Sequence, residues 1–99
     1  MRIYTERGSI DPLSRGETVL VRGIGNSMTP ILLSGDVVTV DPITSDTKLE
    51  KGDIVIAKVR GRVYMHLIKA VRNGEYLIGN NHGRENGWTK QIYGKMRKS

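Results

Sequence analysis

Apolar residues along this chain fall into short segments in which they alternate with polar residues or form brief runs. A period near two and segments of four to ten residues are typical of β-strands rather than helices. The pattern predicts six strands, of which the last is the weakest: Glu17–Arg22, Asp36–Asp41, Asp53–Val59, Arg62–Val71, Glu75–Ile78 and Gln91–Met96.

Glycine-containing turns separate the predicted strands. Asn73-Gly74 suits a two-residue type I′ hairpin, and Arg60-Gly61 is a second tight turn between two longer strands. Gly35-Asp36 recurs as Gly52-Asp53, where glycine tolerates positive φ and aspartate can bond the turn backbone. We therefore interpret both aspartates as turn builders rather than catalytic acids.

One segment predicts a short helix, Met28–Leu33. Ser27 would be its N-cap, Pro30 is tolerated in a first turn, and Ser34-Gly35 would end it. With the strands, this predicts a mainly β fold, consisting of small coiled antiparallel sheets or a partial barrel with one short helix.

The length of 99 residues predicts a single domain, residues 1–99. We divide it into an N-terminal arm (1–16), a core (17–96) and a basic tail (97–99). The chain has no cysteine and two histidines, which argues against a disulfide, a zinc site or any other metal site at His82. No cofactor is expected.

The apolar runs are short and the N-terminal residues are polar. None approaches the roughly 20 apolar residues that span a bilayer, and the first residues lack the apolar core of a signal peptide. We expect a soluble, cytoplasmic protein without a membrane partner.

Charge is distributed unevenly. Residues 1–50 carry five Lys/Arg and seven Asp/Glu, whereas residues 51–99 carry eleven and three. A basic half suggests an anionic partner such as nucleic acid. The alternative, which we favour, is solvated strand faces and a basic tail, because the basic residues are dispersed and few aromatic residues lie among them.

Ser27 and His66 are the residues most suited to chemistry. Ser27 as a helix cap is the simpler interpretation, but a serine among free backbone amides can also act as a nucleophile beside an oxyanion site. His66 shares a strand face with Tyr64 and Ile68, and its ordinary pKa near 6.5 leaves it mostly neutral at pH 7. A lone strand histidine is more often a surface or half-buried residue than a base.

An ordered set of motifs over residues 17–96 resembles the LexA/type I signal peptidase superfamily of serine peptidases. Gly25-Asn26-Ser27-Met28-Thr29-Pro30 is similar to its nucleophile box, G-x-S-M-x-P. Gly35-Asp36-Val37-Val38 and Gly52-Asp53-Ile54-Val55 are similar to its two Gly-Asp strands. Tyr64-Met65-His66 lies at the general-base position, and Gly79-Asn80-Asn81 at the G-D-N box.

The resemblance implies Ser27 as nucleophile and His66 as general base, with histidine at this place as in endoplasmic-reticulum and archaeal-type signal peptidases. Gly25 and Met28 would contact the substrate. The aspartate of the G-D-N box is replaced by Asn80, and Leu67 stands where the family usually has arginine. Asn80, Asn81 or Glu85 would then orient the imidazole.

Two functions follow from these residues. The first is a soluble serine endopeptidase that hydrolyses a polypeptide substrate with a Ser27–His66 pair. The second is a catalytically silent, peptidase-like module that binds nucleic acid or an acidic protein through its basic C-terminal half. Self-cleavage of the LexA kind is not expected, because no alanine precedes Ser27. The oligomeric state is not predicted.

Overall fold

Eight strands and one short α-helix form the part of the chain that the computed structural model describes, residues 2–98. Their bounds are β1 Ile3–Tyr4, α1 Ile10–Ser14, β2 Val19–Arg22, β3 Val37–Pro42, β4 Ile54–Val59, β5 Arg62–Arg72, β6 Glu75–Gly79, β7 Glu85–Thr89 and β8 Ile92–Met96, with one 3₁₀ turn at Arg7–Ser9. The predicted mainly β fold class is confirmed, and all six predicted strands are present.

The strands form one sheet in the order β1-β2-β3-β8-β4-β5-β6-β7. All neighbours are antiparallel except β1 and β2, which are parallel. The last strand, β8, enters the middle of the sheet between β3 and β4. It thereby joins the N-terminal strands to the long β4–β5–β6–β7 meander.

The core lies on both faces of β4. Ile54 and Ile56 belong to one apolar cluster with Val21, Val40 and Met65. Alternate residues of the same strand face a second cluster, which consists of Val55, Ala57, Val59, Ile68 and Ile78. A strand buried on both faces reads as a continuous apolar run, which explains why Ile54-Val55-Ile56-Ala57 lacks polar alternation.

Both predicted hairpin turns are confirmed. Asn73 and Gly74 have φ of 43° and 77°, and Arg60 and Gly61 have φ of 51° and 82°. Positive φ at both central residues is what a type I′ turn requires, and its twist matches that of the flanking strands. The two turns fix the register of β4 with β5 and of β5 with β6.

The two Gly-Asp turns are also built as predicted. The carboxylate of Asp36 accepts from the backbone N–H of Leu33 at 2.8 Å, and that of Asp53 from Glu50 at 2.9 Å. Asp53 is buried, and the ammonium groups of Lys95 and Lys98 lie 3.4 and 3.3 Å from it. Both carboxylates are therefore engaged in structural bonds.

The predicted helix at Met28–Leu33 is wrong. The segment forms turns, with one helix-like bond from the N–H of Leu32 to the carbonyl of Met28 at 3.0 Å. Proline disfavours helical dihedrals in the residue before it, here Thr29, and this interrupts the helix. The observed helix, α1, lies instead in the segment predicted as an arm, and it buries Leu13 in the core.

The N-terminal segment pairs with the sheet through β1, which hydrogen-bonds β2. The predicted arm and basic tail extend to Met1 and Ser99, which lie outside the described residues. No helix within residues 2–98 has the length and apolar character needed to cross a membrane.

Candidate active site

Ser27 and His66 meet although they are 39 positions apart in the chain. Ser27 lies in the turn segment between β2 and β3, and His66 lies in the middle of β5. The Ser27 Oγ is 3.1 Å from the His66 Nε2, within hydrogen-bonding distance. No helix begins at Ser27, so its hydroxyl contacts an imidazole instead of capping a helix.

A third residue, Asn86 of β7, completes the hydrogen-bonded row. Its Oδ1 lies 2.7 Å from the Nδ1 of His66. An amide oxygen can only accept, so Nδ1 carries the ring proton and Nε2 presents its lone pair to the Ser27 hydroxyl. Such a row has the geometry that a nucleophile, a base and a group that orients the base require.

Burial lowers the pKa of the His66 imidazole, and the hydrogen bond to Asn86 only partly opposes that effect. The ring is 9% exposed and stacks on Tyr64, with ring centroids 5.0 Å apart. A charged imidazolium loses hydration in such a place, whereas a neutral ring loses little. His66 is thus held in the neutral form that can accept a proton near pH 7.

The three residues predicted to orient the base do not contact it. Asn80 uses its Oδ1 to accept from the backbone N–H groups of His82 and Arg84, at 2.8 and 3.0 Å. Asn81 bonds the segment around Ser27, and Glu85 is exposed. The orienting bond comes from Asn86, because the residues that follow the G-D-N position turn back as β7 and bring Asn86 beside His66.

Sequence reasoning missed Asn86 because the segment Glu85–Thr89 contains a glycine and few apolar residues. Such a composition is typical of a loop rather than a strand. Alternation along a strand places neighbouring residues on opposite faces. Recognition of this segment as a strand would have made Asn86 a candidate beside Glu85.

The loop after β6 holds the backbone around Ser27 at three carbonyls. The backbone N–H of Asn81 donates to the carbonyl of Ser27 at 2.8 Å, and its side-chain Nδ2 donates to that of Thr29, also at 2.8 Å. The Nε2 of His82 lies 3.0 Å from the carbonyl oxygen of Asn26, so that nitrogen carries a proton and donates. We call Asn81 and His82 the carbonyl clamp.

A small pocket of about 20 Å³ lies on one flank of Ser27. Gly25 and Met28, predicted to contact substrate, line it together with Glu6, Gly23, Ile24, Leu32 and Met65. Gly25 has a φ of 96°, a conformation that favours glycine. Burial raises the pKa of the Glu6 carboxyl, against the lowering effect of a hydrogen bond from the Met65 backbone.

A larger cleft of about 240 Å³ lies on the other flank of the Ser27–His66 pair. Tyr64, Asn80 and Asn86 line it, together with two arginines, Arg62 and Arg84. Ser27 is therefore reached from two directions, one narrow and largely apolar, the other wide and basic.

Metal ligands do not cluster in the described part of the chain: no group of three or more His, Asp or Glu side chains there could hold a metal ion. His82, the second histidine, is engaged with Asn26 and also lies 2.9 Å from the hydroxyl of Thr29.

Comparison with known proteins gives one family. The model of the family described as Peptidase S24-like matches residues 4–93, a range that includes Ser27, His66 and Asn86. No curated protein matches the chain.

Proposed function

Because this chain belongs to the Peptidase S24-like family, we propose that its peptidase-type domain is an active serine endopeptidase that cleaves a polypeptide with Ser27 and His66. The observation that carries the proposal is the hydrogen-bonded row Ser27–His66–Asn86, with distances of 3.1 and 2.7 Å. The resemblance to the LexA/signal peptidase superfamily is confirmed by the family match, whereas the catalytic roles are the proposal.

In the proposed first step, the Ser27 Oγ attacks the carbonyl carbon of the scissile peptide bond while Nε2 of His66 accepts the hydroxyl proton. The resulting imidazolium then donates that proton to the leaving amine as the C–N bond breaks. This leaves an ester between Ser27 and the acyl half of the substrate. Water, activated by the same nitrogen, hydrolyses the ester and restores the serine.

The oxyanion formed in each step needs nearby hydrogen-bond donors. Among residues 2–98, the backbone N–H of Ser27 donates to no protein acceptor. This N–H is therefore free to donate to the oxyanion. The proposed role of Asn86 is to hold the imidazole ring and its tautomer, as a neutral residue that adds no charge stabilisation.

A fluorophosphonate probe, which phosphonylates active serines with loss of fluoride, tests this function across about pH 5 to 9. We expect covalent labelling at Ser27, which peptide mapping would locate, and loss of that labelling in Ser27→Ala and His66→Ala. Ser45→Ala, a change in an exposed loop serine, is the matched control and should label like the wild type.

Thermal unfolding of the same variants separates catalysis from structure. Ser27→Ala should change the free energy of unfolding by less than about 1 kcal/mol, which corresponds to a few degrees for a domain of this size. A folded wild type that is not labelled at any pH would contradict the proposal and favour the silent binding module.

A further inference from the structure

The cleft beside the Ser27–His66 pair is lined by cationic groups. On β5, Arg62, Tyr64 and His66 are spaced two residues apart and therefore lie on one face of the strand. All three line the 240 Å³ cleft, and Arg84 lines it from the loop before β7. No carboxylate is among the residues that line this cleft, so its charge is not neutralised from within.

Several other basic side chains of the C-terminal half have acidic partners. Arg97 pairs with Asp41, and Lys95 and Lys98 pair with Asp53. Within residues 2–98, neither Arg62 nor Arg84 forms an ion pair, and both are exposed. These two guanidinium groups are available to a ligand at the point where a substrate would approach Ser27.

We propose that Arg62 and Arg84 bind an acidic side chain of the substrate, Asp or Glu, within about four residues of the scissile bond. This inference rests on the proposed peptidase function and names its substrate class. Guanidinium groups match carboxylates in a bidentate geometry, and an arginine stays charged at every working pH.

The distance along β5 sets the position of the acidic residue. His66 lies four positions after Arg62 on β5, which is about 13 Å along a strand, the length of about four residues of an extended peptide. The pocket on the opposite flank, at about 20 Å³, has room for little more than one water-sized group. A long substrate side chain would therefore bind in the cleft that Arg62 and Arg84 line.

The experiment uses a library of decapeptides with acetylated and amidated ends, so that a carboxylate comes only from Asp or Glu. Cleavage products are sequenced by mass spectrometry and aligned on the scissile bond. The proteins compared are wild type, R62Q, R84Q, the double variant R62Q/R84Q and the control R15Q. Arg15 is an exposed arginine paired with Glu17 that lines neither flank of Ser27, so R15Q removes the same charge elsewhere.

We expect wild type and R15Q to enrich Asp and Glu over Asn and Gln about tenfold at one position within four residues of the cut, the effect of two partly screened ion pairs. The enrichment should fall in each single variant and disappear in R62Q/R84Q. In R62E/R84E, the same position should favour Lys and Arg. Raising the salt concentration should weaken the wild-type preference.

Fluorophosphonate labelling of every variant, measured in parallel, distinguishes failure of this inference from failure of the proposed function. Labelling and cleavage without an acidic preference would overturn the inference alone. The absence of both labelling and cleavage would overturn this inference together with the proposed function. Cleavage without an acidic preference, together with binding of single-stranded DNA that is lost in R62Q/R84Q but kept in R15Q, would assign the arginines to phosphates and overturn the inference.

Discussion

The Oδ1 of Asn86 lies 2.7 Å from the Nδ1 of His66, although the two residues are 20 positions apart and belong to strands that are not adjacent in the sheet. Strand β6 separates β5 from β7, so the bond reaches across one strand. This single bond fixes which imidazole nitrogen carries the proton. The Ser27 hydroxyl then faces a lone pair.

Substitution of Asn86 should change both the rate and the pH dependence of fluorophosphonate labelling at Ser27. In Asn86→Ala the ring loses its orienting bond, and displacement of a catalytic group by about 1 Å can reduce the rate by about 10²-fold. In Asn86→Asp a carboxylate would face Nδ1, which stabilises the imidazolium and raises the pKa of His66. The rate of fluorophosphonate labelling against pH measures both effects.

Asn86→Asp should therefore retain more activity than Asn86→Ala. The acidic limb of its pH–rate profile, where the labelling rate falls as the pH decreases, should lie at higher pH than in the wild type. Asn80→Ala, a change of an amide residue that lines the cleft without contacting the imidazole, serves as the control. An equal shift of the acidic limb in Asn80→Ala and Asn86→Asp would contradict the proposed role of Asn86.

The wild-type acidic limb should have its midpoint below the ordinary histidine value of 6.5. Burial depresses the pKa of folded His66, so the base stays neutral to lower pH than an exposed imidazole would. Labelling rates between about pH 4 and 8 locate the midpoint. A midpoint above 6.5 would mean that a negative group, rather than burial, dominates around the ring.

The lowered pKa of His66 also affects the stability of the folded chain. Below pH 6.5 the unfolded chain takes up a proton at this histidine before the folded chain does, so the free energy of unfolding falls as the pH decreases through that window. His66→Gln should lessen this dependence. Urea unfolding at several pH values, with His82→Gln as the matched control, measures the difference between the two histidines.

Loss of the carbonyl clamp should reduce the rate of labelling at Ser27 without changing how that rate depends on pH. Asn81→Ala and Asn81→Asp both remove the Nδ2 donor to Thr29, so the Ser27 segment loses one of its three anchors. We expect a decrease of about 10- to 100-fold in kcat or labelling rate, since Ser27, the proposed nucleophile, is displaced. His82→Ala should act in the same direction.

The midpoint of the acidic limb distinguishes positioning of Ser27 from orientation of His66. Because the carbonyl clamp does not contact the imidazole of His66, the midpoint should stay at the wild-type value in Asn81→Ala. A shift comparable to that of Asn86→Asp would show that Asn81 acts on the base, as the sequence had suggested.

Gly94 of β8 has no room for a side chain. A Cβ at this position would lie 2.6 Å from the Cγ1 of Val40 and 2.8 Å from the Cδ1 of Leu13. Gly94→Ala should therefore destabilise the fold by about 1–3 kcal/mol, the usual cost of overpacking a core. Urea unfolding measures the change.

Val40→Ala in the Gly94→Ala background should recover part of that loss, because it removes one of the clashing methyl groups. A double-mutant cycle should give a coupling of at least about 0.5 kcal/mol between the two positions. Strict additivity would mean that the clash with Val40 does not cause the destabilisation.

The local pattern of the sequence was enough to predict most of the strands and two hairpin turns. Alternation and β-branched runs located six of the eight strands, and Asn73-Gly74 and Arg60-Gly61 specified their turns because few residue pairs accept positive φ twice. β7 was not predicted because Asn86 and Gly87 have almost no strand propensity. The helix was misplaced because Pro30 restricts Thr29, whereas α1 gains its stability from burying Leu13.

Neighbouring residues and motif order were sufficient to predict six of the eight strands, the family motifs and the pairing of Ser27 with His66 as a hypothesis. The folded chain was needed to identify which amide reaches the imidazole, what holds the Ser27 segment and which arginines line the cleft. Those contacts join residues 20 to 56 positions apart. They depend on how β7 and the loop after β6 fold back over β5, which no local pattern encodes.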